Sequence, residues 1–132
     1  HFKKFNDTHG HAVGDEVLKM VARGLEESTR KVDFCARYGG EEFVVIIPEA
    51  SSEILERVAE RQRQRIEQEC LVHEGESLSV QISVGGACSA DICGLPEAEA
   101  LLREADACLY EAKRAGRNRS VCRSVERVVV TR

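Results

Sequence analysis

A mixed α/β or α+β fold, with helices laid against a sheet, is the architecture this sequence predicts. Three observations carry it. Apolar residues recur at helical spacing in three separated segments; short strand-like runs alternate with those segments; and each helical stripe is one-sided, as in helices that cover a sheet rather than pass through a core. The 132 residues suffice for one domain with its own core and are too few for two comfortable ones.

The opening HFKKFND is taken as the loop that follows a strand. In AVGDEVLKMVARGLEE, Val17, Leu18, Val21, Ala22 and Leu25 make the first stripe, so a helix should start near Gly14 or Asp15 and run to about Glu27, with Asp15 in or beside its first turn. VDFCARY and FVVIIP form two strands joined through Gly39 to Glu42, a tight hairpin in which both glycines can take positive φ, and Pro48 stops the second strand. From Ser51 to about Gln68 the helical pattern returns with Ile54, Leu55, Val58, Ala59 and Ile66. LVHEGES is a turn, and SLSVQISVG alternates with period two, which predicts one strand with Leu78, Val80, Ile82 and Val84 on a buried face. After a loop at CSADICGLP, Ala98, Leu101, Leu102, Ala105, Leu109 and Ala112 align into a third helix that Gly116 ends. NRSVCRSV is the last strand, and ERVVVTR either continues it or forms a tail.

Composition narrows the functional classes. Hydrophobic residues at 42% and charged residues at 32% exclude a disordered chain. A net charge of −4 argues against general attraction to polymeric nucleic acid but leaves room for a local basic pocket. No apolar run is long enough to span a membrane. The six cysteines include no C-x-x-C pair and fall largely at apolar positions, the pattern of buried free thiols in a reducing compartment rather than of a disulfide framework. His9 and His11 lack the companions of a zinc site, no nucleophilic triad can be assembled from spacing, and no G-x-x-x-x-G-K-[ST] loop is present.

Six polar elements remain: Lys3 with Lys4, Asn6, Asp15, the pair Glu41 and Glu42, Lys113, and Arg117. An amide and a carboxylate can read the hydrogen-bonding edge of a base, cationic side chains can neutralise phosphates, and paired carboxylates can hold Mg²⁺ against those phosphates. Each has a plainer alternative: solvent-facing lysines, a turn at Asn6, a dipole partner in Asp15, and a basic helix end at Lys113 and Arg117. The Gly39–Glu42 tip resists the plain reading best, because hairpin stability needs no adjacent carboxylates and like charges repel. The residues alone thus indicate a nucleotide-handling α/β domain.

HFKKFNDTHGHAVGDEVL, RYGGEEF, SVQISVGGA and ADACLYEAKRAGRNR, in this order and spread over nearly the whole chain, resemble the GGDEF domain of the diguanylate cyclase family, in its GGEEF form. The resemblance implies a palm-like fold related to class III nucleotidyl cyclases, with a central, mostly antiparallel sheet of about five strands flanked by helices. It also implies condensation of two GTP molecules into cyclic di-GMP and two pyrophosphates, with Mg²⁺ or Mn²⁺, in a homodimer whose domains meet head to head. On the matching positions, Asn6 and Asp15 would recognise guanine, while Lys3, Lys113 and Arg117 would contact phosphates. Glu41 would ligate metal, Glu42 would assist at the metal or at the attacking hydroxyl, and Gly39 and Gly40 would make room for the nucleotide.

RKVD places Arg30 and Asp33 at the interval of the family's R-x-x-D inhibitory site, with Arg61 as a secondary contact for the product. An arginine fork and a carboxylate are chemically suited to a guanine dinucleotide. The family pattern also has a first strand with a preceding helix and a metal-binding Asp, all ahead of HFKK. Residues 1–132 are therefore expected to be a single GGDEF domain without its N-terminal part. Such domains usually follow sensory, receiver or transmembrane modules, and a GTP requirement implies a cytoplasmic place with no membrane contact by the domain. The alternative is a catalytically inactive module that binds GTP or cyclic di-GMP. Gly86 beside Gly85 departs from the pattern, where a small apolar residue is more typical, and is expected to loosen the strand slightly.

Overall fold

The computed structural model describes residues 2–89 and 98–125, and these group into two compact units. One takes the chain up to Pro48 together with Gln64–Gln81, and the other takes Glu49–Arg63 and the residues from Ile82 on. The loop expected at CSADICGLP falls mostly, and the tail ERVVVTR entirely, outside the described residues.

In the first unit the apolar stripe read from the sequence makes α2 (His11–Glu27), which buries Val13, Val17, Leu18, Met20, Val21 and Leu25. At Gly24 the absent side chain admits Ile66, whose Cδ1 would lie 2.6 Å from a Cβ there. The opening residues form α1 (Phe2–His9) rather than the expected loop. The reason is local: Phe2, Phe5, Asn6 and His9 share one helical face, and the Phe5 and His9 rings stack one turn apart with centroids 4.6 Å apart. Gly10, at φ 89, breaks the two helices and lets α2 begin at His11. Asp15 therefore lies in the second turn of α2, not the first, and no acidic residue occupies the first turn.

β1 (Phe34–Gly39) and β2 (Glu42–Ile46) pair antiparallel, as predicted, from Phe34↔Ile46 to Gly39↔Glu42, with an irregularity between Arg37 and Gly39. Of the two glycines only Gly40 takes positive φ, at 51. LVHEGES forms a hairpin of its own, β3 (Leu71–His73) against β4 (Glu76–Leu78). Glu74 and Gly75, at φ 50 and 77, supply the two positive values of a two-residue turn.

In the second unit β5 (Val84–Ser89) and β6 (Ser120–Val125) pair in parallel across α4 (Ala98–Arg114). The predicted single strand at SLSVQISVG is thus divided: Leu78 ends the β3–β4 hairpin, Val84 begins β5, and the residues between join no ladder. Alternation identifies a face but not a pairing partner, and the two halves have different partners. For the same reason the expected central sheet is replaced, among the described residues, by three two-stranded ladders, two antiparallel and one parallel.

A Cβ at Gly85 would lie 2.7 Å from the Cα of Leu109 and closer still to the Leu109 nitrogen and the Ala105 oxygen, so helix backbone rests directly on strand backbone. Gly86 loosens nothing. It is buried, and a Cβ there would be 2.9 Å from Cys122 Sγ and 3.2 Å from Leu55 Cδ1, a neighbour on α3 (Ser52–Gln68). The helix α3 gives Val58 and Ala59 to the buried set of this unit and its last turn, with Ile66, to the first. Cys35, Cys70, Cys88, Cys108 and Cys122 are free thiols, with Cys88 and Cys108 buried and Cys70 exposed; Cys93 lies outside the described residues. No helix among the described residues is long and apolar enough to cross a membrane.

Candidate functional site

The hairpin tip carries its two carboxylates outward. Gly39, Gly40, Glu41 and Glu42 are all exposed. The tip is tied down by a residue not singled out from sequence: Arg37 donates from Nε and Nη2 to the Gly40 carbonyl, at 2.8 and 2.5 Å. Glu42 opens β2 opposite Gly39, and neither the Glu41 nor the Glu42 carboxylate makes a hydrogen bond or ion pair to another described residue. Among the described residues no group of three or more carboxylates, histidines or cysteines could hold a metal ion.

Asn6 and Asp15 belong to the same unit. The Oδ1 of Asn6 is buried with no hydrogen-bond partner, and the amide rests on Gly14, where a Cβ would overlap that oxygen and lie 2.9 Å from Cγ. An unpaired acceptor of this kind costs about 1–3 kcal/mol unless a donor arrives. Asp15 is exposed and lines an open cavity of about 390 Å³ between α2 and the hairpin, with Leu18, Lys19, Ala22 and Glu26 on one wall and Cys35, Ala36, Arg37 and Phe43 on the other. Apolar walls edged by two carboxylates, Asp15 and Glu26, and two cations, Lys19 and Arg37, suit a flat heterocycle with polar edges. Burial, helped by the Glu26 carboxylate, pushes the Cys35 thiol above its ordinary value, so the wall thiol stays neutral. The side chain of Lys3 lies outside the described part.

Arg30 and Asp33 pair with one another. The Asp33 carboxylate is 1% exposed and receives the Arg30 guanidinium at 3.0 Å and the Arg30 backbone N–H at 2.7 Å. Arg30 Nη2 also donates to the Pro48 carbonyl, at 3.1 Å, while half of the side chain stays open to solvent. Arg61 is exposed on α3, in the other unit.

Lys113 and Arg117 are also in the second unit, at the end of α4. Gly116, at φ 120, closes the helix: its N–H bonds to the Lys113 carbonyl and the Arg117 N–H to the Ala112 carbonyl, the paired bonds of a Schellman cap. The cap turns the chain so that Arg117 is exposed beside the half-buried Lys113. Tyr110, one turn back, lies under the Arg114 guanidinium at 5.7 Å.

One unit thus carries an exposed acidic hairpin tip and an open cavity, and the other a basic cap after a β-α-β crossover, within a mixed α/β fold. Residues 1–119 match the family model described as Diguanylate cyclase, GGDEF domain, and the chain belongs to that family. It is 43% identical over 118 residues to Diguanylate cyclase A of Treponema denticola, covering 89% of this chain and 31% of that protein. It is 45% identical over 119 residues to the response regulator PleD of Caulobacter vibrioides, covering 89% of this chain and 26% of that one. The chain thus spans less than a third of the length of these relatives. Among solved structures, the GGDEF domain of DgcB from Caulobacter crescentus, in complex with c-di-GMP, superposes with a TM-score of 0.84 at 34% identity, over 92% of this chain and 71% of that one. The active GGEEF domain of a diguanylate cyclase from Vibrio cholerae gives 0.75 at 33% identity, over 92% and 75%.

Proposed function

We propose that the protein containing this chain is a diguanylate cyclase: two copies of the domain, each holding one GTP, join the nucleotides into cyclic di-GMP. The observation that carries this reading is the GGEEF hairpin, whose glutamate side chains are exposed and without recorded partners while Arg37 bonds to the Gly40 carbonyl in the turn. In each half-reaction a 3′-hydroxyl oxygen bonds to the α-phosphorus of the facing GTP, the bond to the bridging oxygen breaks, and pyrophosphate leaves. Two such events close the ring, so a homodimer is required.

Asn6 and Asp15 take the guanine edge. The unpaired Oδ1 of Asn6 is an acceptor for a guanine N–H, and Asp15 stands on the cavity wall with Leu18 against the base. Lys113 and Arg117, with Lys3, hold phosphate oxygens as point charge and fork. Glu41 and Glu42 are hard oxygen donors of the kind Mg²⁺ or Mn²⁺ prefers, and the bound cation would supply charge neutralisation at the phosphates. Arg30 and Asp33, already paired, form the inhibitory site for the product, with Arg61 as a further contact. GTP use places the domain in the cytoplasm, attached to a sensory or receiver module.

The test uses the full-length protein with GTP and Mg²⁺. Wild type should form cyclic di-GMP and slow as it accumulates; Glu41→Gln should lose at least about a hundredfold in turnover; and Arg30→Ala should keep turnover and escape inhibition. Undiminished product from Glu41→Gln would overturn the catalytic reading, and GTP binding without turnover in a verified wild-type dimer would make the domain a regulatory module instead.

A further inference from the structure

We propose that Glu60 and Arg63 of α3 are positioning residues that clamp the turn after α4 and so hold the Arg117 guanidinium in place for the triphosphate of GTP; the proposal rests on the phosphate role given to Arg117 above. The turn is one that the chain does not adopt on its own. Gly116, Arg117 and Asn118 follow one another at φ 120, 62 and 45. Glycine takes such a conformation freely and asparagine tolerates it, but for arginine it costs about 1–2 kcal/mol. Something outside the turn has to keep it.

That something is one turn of α3. The side chain of Arg63 is only 14% exposed. One edge faces Glu60, with Nε 3.0 Å from both carboxylate oxygens and Nη2 2.5 Å from Oε1. The remaining nitrogen, Nη1, donates to Asn118 Oδ1 at 2.8 Å. Glu60 closes the clamp from the far side, because its Oε2 accepts from Ser120 Oγ at 3.1 Å. Two residues one helical turn apart thus grip positions 118 and 120. The Arg117 carbonyl is fixed as well, accepting from Arg119 Nε at 3.1 Å, and its N–H is fixed by the cap. Only the side chain of Arg117 is left to project, and it is exposed.

The geometry asks for arginine at 63. A guanidinium can satisfy a carboxylate along one edge and a third acceptor from the other end of its plane, whereas an ammonium is a single point that cannot span both. A helix surface pair between Glu60 and Arg63 for stability alone would not need the third donor aimed at a side chain 55 positions away. An arginine in α3 was sought from sequence at position 61 for another role; the residue that reaches the turn is Arg63.

The experiment measures steady-state kinetics of the full-length dimeric protein with GTP and Mg²⁺ for Arg63→Lys, Asn118→Gly, Arg117→Ala and the two doubles with Arg117→Ala. Asn118→Gly keeps the left-handed backbone and removes only the acceptor, so it carries the test if Arg63→Lys fails to fold. Expected is a KM for GTP raised about tenfold by each clamp variant, the scale of one charge-assisted hydrogen bond, with kcat held within about twofold. On the Arg117→Ala background the clamp variants should add nothing, since they act through that side chain. An unchanged KM in Asn118→Gly, or effects that multiply with Arg117→Ala, would overturn the clamp. Arg117→Ala with a wild-type KM would instead remove the phosphate role of Arg117, and the clamp's purpose with it.

Discussion

Replacing Gly14 by alanine should separate recognition from stability, because the first atom it adds lands on Asn6. A Cβ at position 14 overlaps Asn6 Oδ1, lies 2.9 Å from Asn6 Cγ and stands 3.3 Å from Phe2 Cζ. Carbon atoms pack best at about 3.5 Å or more; the amide carbon must therefore retreat by roughly 0.6 Å and the oxygen further, which moves the side chain to another rotamer. Leaving the preferred torsion costs about 1 kcal/mol. Gly→Ala in a helix interior returns about 1 kcal/mol. The two nearly cancel, so the melting temperature of the full-length protein should stay within about 3 °C of wild type. Recognition has no such offset. The displaced Oδ1 is the acceptor assigned to guanine, and loss of that bond should lower kcat/KM for GTP about ten- to a hundredfold. The assay compares kcat/KM for GTP and inosine triphosphate, which lacks the exocyclic amine, in wild type, Gly14→Ala and Asn6→Ala. The two variants should show the same narrowed preference. A wild-type preference in Gly14→Ala, or a large fall in melting temperature with recognition intact, would refute the reasoning and leave Gly14 as a packing residue only.

Gly85→Ala should do the opposite, since its Cβ meets the backbone of Ala105 and Leu109, which cannot rotate away; roughly 3 kcal/mol is expected, seen as a lowered urea midpoint, and an unshifted midpoint would show that α4 can ride outward freely. Stability should also fall in alkali. Burial first, then Glu56 and the neighbouring thiols, pushes Cys122 from 9.0 up to about 11, so the folded state keeps a proton that the unfolded chain releases above 9.0. That contribution is complete below pH 9 and is lost as pH rises toward 11; Cys122→Ala should show a shallower decline between those limits, and an identical decline would assign it to other groups.

Helices α2, α3 and α4 were legible because each has a long one-sided stripe, and the β1–β2 hairpin because two apolar runs flank a glycine pair. What the sequence hid was governed by partners rather than by pattern. In α1 two lysines interrupt the aromatic residues, and the helix is visible only once Phe5 is seen against His9. Ser79 to Ser83 continue the alternation of a strand, yet their neighbours on either side join different ladders. Within the candidate site, the residue types at Asn6, Asp15, Glu41 and Glu42 suggested a chemistry, since an amide and a carboxylate can read a base edge and paired carboxylates can hold a hard cation. The supports beneath them did not. Arg37 bends back to a carbonyl three residues on, and Arg63 and Glu60 reach partners 55 and 60 positions away; an arginine on a helix looks the same whether it faces water or holds a loop.

The parallel pairing of β5 with β6 decides how an anion can be held at the end of α4. A helix crossing between parallel strands runs back along them, so its last turn arrives where the strands begin; here Val84, at the start of β5, donates its N–H to the Arg119 carbonyl just before β6. Nucleotide sites in doubly wound sheets lie beyond the carboxyl ends of the strands, where each following helix presents free amide groups to a phosphate. At this end of the crossover the phosphate contacts proposed are side chains, Lys113 and Arg117. Both can be replaced while the β-α-β frame stands unchanged.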